Sequence, residues 1–145
     1  MVFAAGVGTR MGAMTKDRPK PLSEVAGRAL IDHTLDLISE TDAETVVVNL
    51  HYKSDMLRTH LAGRDVVFAD EQPDILETGG GLKAAVPRLG EAPVYSTNSD
   101  AVWRGPNPLL HLAQFWDPDR MDALLLCVPL PHAVGHLGDG DFLSD

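Results

Sequence analysis

Ala4-Ala5-Gly6-Val7-Gly8-Thr9-Arg10-Met11 follows directly on a short apolar run. Glycines in that position let backbone N–H groups turn towards an anion, and the missing Cβ lets phosphate approach closely. Arg10 adds a planar cationic fork suited to phosphate oxygens. Further on stands Arg18-Pro19-Lys20-Pro21-Leu22. Its prolines fix φ and restrict Arg18 and Lys20 to extended backbone, so Lys20 is expected on a stiff rod that aims a point charge. Asn98-Ser99-Asp100 closes another apolar run, and the Asp100 carboxylate offers the oxygen donors that Mg²⁺ prefers. Each feature also has a plainer reading. The glycines suit a tight strand-to-helix turn, Lys20 a solvated surface, Asp100 a cap or surface carboxylate, and Asn98 a turn. Spacing excludes two familiar loops. A G-x-G-x-x-G fingerprint needs glycine where Met11 stands, and a P-loop needs Gly-Lys where Met11 and Gly12 stand. A nicotinamide oxidoreductase is therefore poorly supported.

The elements that must position these groups are legible as alternating strands and helices. Val2–Ala5, Thr45–Leu50 and Val66–Ala69 read as buried parallel strands, with a shorter one at Val94–Thr97 and a leucine-rich one at Ala123–Val128. Leu30, Ile31, Thr34, Leu35 and Ile38 form one apolar helical stripe. Ser54–Leu61, Gly81–Leu89 and Pro108–Trp116 read as further helices. Glu77-Thr78-Gly79-Gly80 reads as a loop entering a helix, with Thr78 able to serve as its N-cap. This alternation predicts an α/β fold, a Rossmann-like three-layer α/β/α sandwich with a mostly parallel sheet. From Pro129 onwards prolines and glycines predict loop, with a short antiparallel strand around Asp141–Leu143. The abrupt start and end predict one domain over 1–145 that is incomplete at its C-terminus.

Bulk properties narrow the partners. With 145 residues, 44% hydrophobic and 23% charged, the chain suits one ordinary globular domain. The net charge of −9 argues against nucleic acid or an anionic membrane. Residues 1–28 nevertheless carry five basic and two acidic side chains, a local +3 against −12 for the remainder. Such a patch suits a small polyanion. No apolar stretch reaches membrane-spanning length. The single cysteine, Cys127, can form no internal disulfide, is expected as a small buried hydrophobe, and fits a reducing cytoplasm. His132 and His136 read as loop histidines, and Trp103 and Trp116 as packing groups.

Ala4-Ala5-Gly6-x-Gly8-Thr9-Arg10-Met11 with Pro19-Lys20-Pro21-Leu22 resembles the signature of sugar-1-phosphate nucleotidylyltransferases. Leu76-Glu77-Thr78-Gly79-Gly80-Gly81, Asn98-Ser99-Asp100 and, more weakly, His132 with Gly140-Asp141-Phe142 extend the resemblance from Ala4 to Phe142. Ser99 stands where that family usually has glycine, which is expected to narrow the space beside a metal. The resemblance implies the nucleotide-diphospho-sugar transferase type of fold. It implies Mg²⁺-dependent transfer from an NTP, with UTP expected, to a sugar-1-phosphate, with N-acetylmuramate-1-phosphate expected. NDP-sugar and pyrophosphate are the products. It assigns the nucleotide to Ala5, Gly6, Gly8, Thr9, Arg10, Glu77, Thr78 and Gly79. The sugar phosphate falls to Lys20, Gly80, Asn98 and Gly140, the metal to Asp100, and the catalytic roles to Arg10, Lys20 and Asp100. A second carboxylate is implied from a later segment. The same loop chemistry would serve a cytidylyltransferase acting on phosphocholine or another phosphorylated acceptor. It would also serve a non-catalytic nucleotide-sugar sensor.

Overall fold

Val2–Phe3 (β1), Val47–Leu50 (β4), Val67–Asp70 (β5) and Thr97–Asn98 (β6) form one parallel sheet in the order β5-β4-β1-β6. The computed structural model describes residues 1–143, apart from the Arg10 side chain. The register pairs Val2 with Val48 on one side and with Thr97 on the other. The chain therefore runs outwards from β1 through β4 to β5, then returns to the far side of β1. That reversal is the switch point at which parallel α/β sheets take ligands, beyond the carboxyl ends of their strands. Glu24–Val25 (β2) and Arg28–Ala29 (β3) make a separate antiparallel hairpin. Ala26 (φ 53°) and Gly27 (φ 76°) turn it, the left-handed pair that a tight hairpin requires.

Strand alternation sorts the side chains into two layers. Val2, Ala4, Val48 and Leu50 pack against Ile31, Leu35 and Ile38 of helix α1 (Leu30–Ser39), Leu57 of α2 (Ser54–His60) together with Leu61 just beyond it, and Leu109 of α4 (Pro108–Phe115). Met1 and Val47, with Phe3, pack against Leu82, Ala85 and Leu89 of α3 (Glu77–Leu89). Ile31, Leu50, Leu57, Leu61, Val2, Val47 and Val48 are fully buried, each contributing about 1.5–3 kcal/mol. Asn107 caps α4 by accepting from Leu109 N (2.9 Å) and donates to Leu37 O (2.8 Å), tying α4 to the end of α1. The predicted three-layer parallel architecture is the one observed.

Several local expectations are corrected. Helix α3 starts at Glu77, so Glu77-Thr78-Gly79-Gly80 is helical, and its N-cap is Leu76, which makes no side-chain cap bond. Thr78 is therefore inside the helix and caps nothing. Lys20 opens a 3₁₀ turn, Lys20–Leu22, instead of running extended. That turn is closed by Leu22 N to Pro19 O and Ser23 N to Lys20 O, both 2.9 Å. Ala123–Val128 forms no strand, and neither does Asp141–Leu143. Cys127 is exposed, not buried, because the run that carries it lies outside the sheet. Among the described residues no helix is long and apolar enough to cross a membrane.

Candidate nucleotide site

The glycine loop leaves β1 at the switch point. Gly8 is left-handed (φ 71°, ψ 28°) and begins the 3₁₀ segment Thr9–Thr15, which is kinked at Gly12 (φ 53°, ψ −120°). A Cβ at Gly8 would stand 2.9 Å from Thr15 Cγ2 and 3.2 Å from Lys20 Cβ. Glycine is thus required there by backbone angle and by space. The buried Thr15 hydroxyl donates to Gly8 O (3.0 Å) and Gly12 O (3.3 Å), closing the loop on itself. Tyr52 OH donates to Thr15 O (3.3 Å), anchoring the loop to the segment after β4. Gly6, Val7 and Thr9 are exposed and Ala5 is buried. The structure therefore presents an open loop, and Thr15 braces it in a way that its sequence position alone did not announce.

Lys20 and Asp100 meet across this cradle. Lys20 Nζ donates to Asp100 Oδ2, joining residues 80 positions apart in sequence, and their side chains are 31% and 33% exposed. Fully buried Pro19 and buried Pro21 hold the lysine's turn in place. Asp100 lies two residues beyond Asn98, the last residue of β6. Ser99, between them, is buried, and its Oγ donates to Phe3 O at 2.7 Å. The extra side chain, expected to crowd a metal, is used instead to tie β6 to β1. The Arg10 side chain lies outside the described atoms.

Glu77, Thr78 and Gly79 are exposed on the first turn of α3, with Gly80 half-buried behind them. Glu77 has φ 58°, a left-handed backbone that costs about 1–2 kcal/mol for a residue with a Cβ. Such strain is characteristic of binding segments. Gly140 (φ 97°) sits against Leu130 in the tail. His132 and His136 are exposed there, His136 in loop and His132 at the end of a 3₁₀ turn, Leu130–His132, not in loop as expected. Trp103 and Trp116 are half-buried. The fold thus gathers the glycine loop, Lys20 and Asp100 at one sheet edge, with Gly140 in a separate tail segment.

Two residues without a sequence motif belong to the same end of the sheet. Asn49 Oδ1 accepts from Ala4 N (2.6 Å), while Asn49 Nδ2 donates to Glu71 Oε1 (2.7 Å). Glu71 Oε2 accepts from Leu76 N (2.8 Å). The available signal was a polar residue inside the otherwise apolar run Val46-Val47-Val48-Asn49-Leu50, since a buried amide must find partners.

The donor set fits a magnesium ion bound with its nucleotide. One carboxylate beside an open glycine loop is compatible with the way Mg²⁺ is held, because the phosphates of a bound ligand and water would complete its shell. Among the described residues no group of three or more His, Cys, Asp or Glu could hold a metal by itself.

Residues 1–133 match the MobA-like NTP transferase domain, and the chain belongs to that family. It is 46% identical to the N-acetylmuramate alpha-1-phosphate uridylyltransferase of Caulobacter vibrioides, over 99% of this chain and 64% of that protein. It is 31% identical to the protein of the same name from Neisseria meningitidis serogroup B, over 98% of this chain and 62% of that protein. The chain thus spans less than two thirds of the length of these relatives. A nucleotidyl transferase from Methanothermobacter thermautotroptrophicus superposes with a TM-score of 0.69 at 22% identity, over 80% of this chain and 56% of that one. That likeness supports the fold.

Proposed function

We propose that this MobA-like NTP transferase domain is the nucleotide-handling part of a sugar-1-phosphate nucleotidylyltransferase, with UTP as donor and N-acetylmuramate-1-phosphate as acceptor. The observation that carries the reading is the Lys20–Asp100 ion pair at the mouth of the glycine loop. A cation and a hard-oxygen ligand stand together where a phosphate chain would lie. The identity of the substrates is supported by the 46% identical relative, whose name gives uridylyl transfer and N-acetylmuramate alpha-1-phosphate.

In this reading, an acceptor phosphate oxygen attacks the α-phosphorus of the NTP. The new P–O bond forms as the bond from that phosphorus to the bridging β-oxygen breaks, and pyrophosphate leaves with the electron pair. No covalent nucleophile on the protein is needed. Two polyanions must be brought together, so the work is neutralisation and alignment. The backbone of Ala5, Gly6, Gly8 and Thr9 cradles the triphosphate, and Arg10 grips its outer oxygens. Glu77, Thr78 and Gly79 face the base and ribose. Lys20, Gly80 and Asn98 take the sugar phosphate, and Gly140, in its separate tail segment against Leu130, is left out of this set. Asp100 holds Mg²⁺, which when bound neutralises phosphate charge. In the free protein Lys20 and Asp100 neutralise one another, and the phosphates compete for Lys20 when substrate arrives.

The test is pyrophosphate release with Mg²⁺ across four NTPs and a panel of N-acetylmuramate-1-phosphate, glucose-1-phosphate and phosphocholine, using the longest form of the protein. Release that needs both UTP and N-acetylmuramate-1-phosphate is expected. Release only with CTP and phosphocholine would move the assignment to a cytidylyltransferase. NTP binding with no release from any pair would make the domain a sensor.

A further inference from the structure

Burying a carboxylate is costly unless its lone pairs are satisfied. Glu71 is 2% exposed and Asn49 3% exposed. Among the described residues no lysine, arginine or histidine side chain pairs with the Glu71 carboxylate. It is satisfied instead by hydrogen bonds at both oxygens, from Asn49 Nδ2 and from Leu76 N. Leu76 is the N-cap of α3, so the carboxylate also sits at the positive end of that helix. The Glu71 main chain is fixed too, donating to Leu50 O (2.8 Å) and accepting from His51 Nδ1 (2.7 Å). On the third side, a Cβ at Gly81 would stand 2.5 Å from Glu71 Oε1 and 3.0 Å from Asn49 Nδ2. Helix α3 thus lies too close to the pair for any side chain there. This accounts for the third glycine of Gly79-Gly80-Gly81, whereas Gly79 faces open space.

The two ends of this network lie at the two halves of the nucleotide site. One is Ala4 N, two residues before Gly6. The other is Leu76 N, one residue before the strained Glu77. An apolar pair would fill the same volume without the desolvation cost, but it would hold neither amide. We propose that Asn49 and Glu71 are a positioning pair that fixes the glycine loop relative to the first turn of α3, and so sets the nucleotide half of the site without touching the acceptor. The proposal rests on the transferase reading above and adds to it the residues that govern nucleotide affinity.

The hydrogen-bond polarity supplies its test. In Glu71→Gln, one of two donors, Asn49 Nδ2 or Leu76 N, must face an amide NH₂. In Asn49→Asp, two carboxylates face each other. In the double variant every bond is restored with one polarity reversed. The carboxylate now at position 49 accepts from Ala4 N and from the amide now at position 71, whose carbonyl accepts from Leu76 N. Each single variant should raise the KM for NTP about 10-fold or more, with the acceptor KM within about twofold of wild type. The double variant should recover most of the loss. Lowered thermal midpoints with unchanged kinetic constants, or equal rises in both KM values, would overturn the proposal. If the single variants do not fold, amide hydrogen exchange on the wild-type chain decides. NTP should increase protection at Ala4 and Leu76 together, and a change confined to one of them would refute the coupling. Failure of the wild type to bind any NTP would remove the transferase reading and the pair's role together. NTP binding by wild type with unaltered KM in the variants would remove the pair's role alone.

Discussion

At the scale of single residues, Lys20 and Asp100 carry the charge that the proposed chemistry needs. Both are about a third exposed, so their mutual attraction adds little to stability. Asp100→Asn and Lys20→Ala should therefore keep the circular dichroism spectrum and thermal midpoint of the wild type. Each should lower kcat about 100-fold or more. Wild-type turnover in Asp100→Asn would remove the metal role, and in Lys20→Ala it would return the lysine to the surface. Ser99 makes the opposite case. Its hydroxyl is buried on Phe3 O, so Ser99→Ala should cost about 1 kcal/mol in urea denaturation. Turnover should change little, because the residue ties two strands and touches no phosphate. A large loss of turnover at unchanged stability would place Ser99 back beside the metal.

At the scale of elements, two left-handed positions separate strain that serves a site from strain that does not. Ala26 holds φ 53° in the hairpin between β2 and β3, so Ala26→Gly should stabilise the chain by about 1 kcal/mol and leave kinetics alone. Gly8 holds φ 71° with Thr15 Cγ2 2.9 Å from where a Cβ would be. Gly8→Ala should therefore deform the cradle and raise the KM for NTP. A KM within about twofold of wild type would show that the loop backbone does not carry the phosphates. The elements themselves were largely legible: α1 matches its apolar stripe, and β4 and β5 their β-branched runs. The start of α3 was not, because Glu77, Thr78, Gly79 and Gly80 read as a loop capping the helix, whereas Glu71 reaching Leu76 N substitutes for a side-chain cap. That contact spans a loop and is invisible to local spacing. Likewise the motifs pointed to Lys20 and Asp100, but not to Asn49 and Glu71, whose roles exist only once β4, β5 and α3 are assembled.

At the scale of the whole molecule, the two layers bury their apolar surface unequally along the chain. The central strands are enclosed, but Ala123–Val128, which its leucine-rich run placed among them, is not in the sheet. Among the described residues the run pairs with no strand. Leu125 and Val128 stay exposed together with Phe115 of α4, and His111, Leu112, Phe115 and Leu124–Cys127 line one shallow apolar depression. Apolar surface of this kind binds dyes and promotes association. Because these side chains are already in water, removing them costs little folding free energy. The double substitution Phe115→Ser and Leu125→Ser should thus lower binding of a hydrophobic fluorescent dye and reduce self-association in sedimentation, with the thermal midpoint nearly unchanged. The proposed nucleotide site is built from residues held by the enclosed strands, so NTP affinity should not move. A loss of stability comparable to a core truncation, about 2–5 kcal/mol, would mean that in solution this run packs as the sheet strand its sequence suggests.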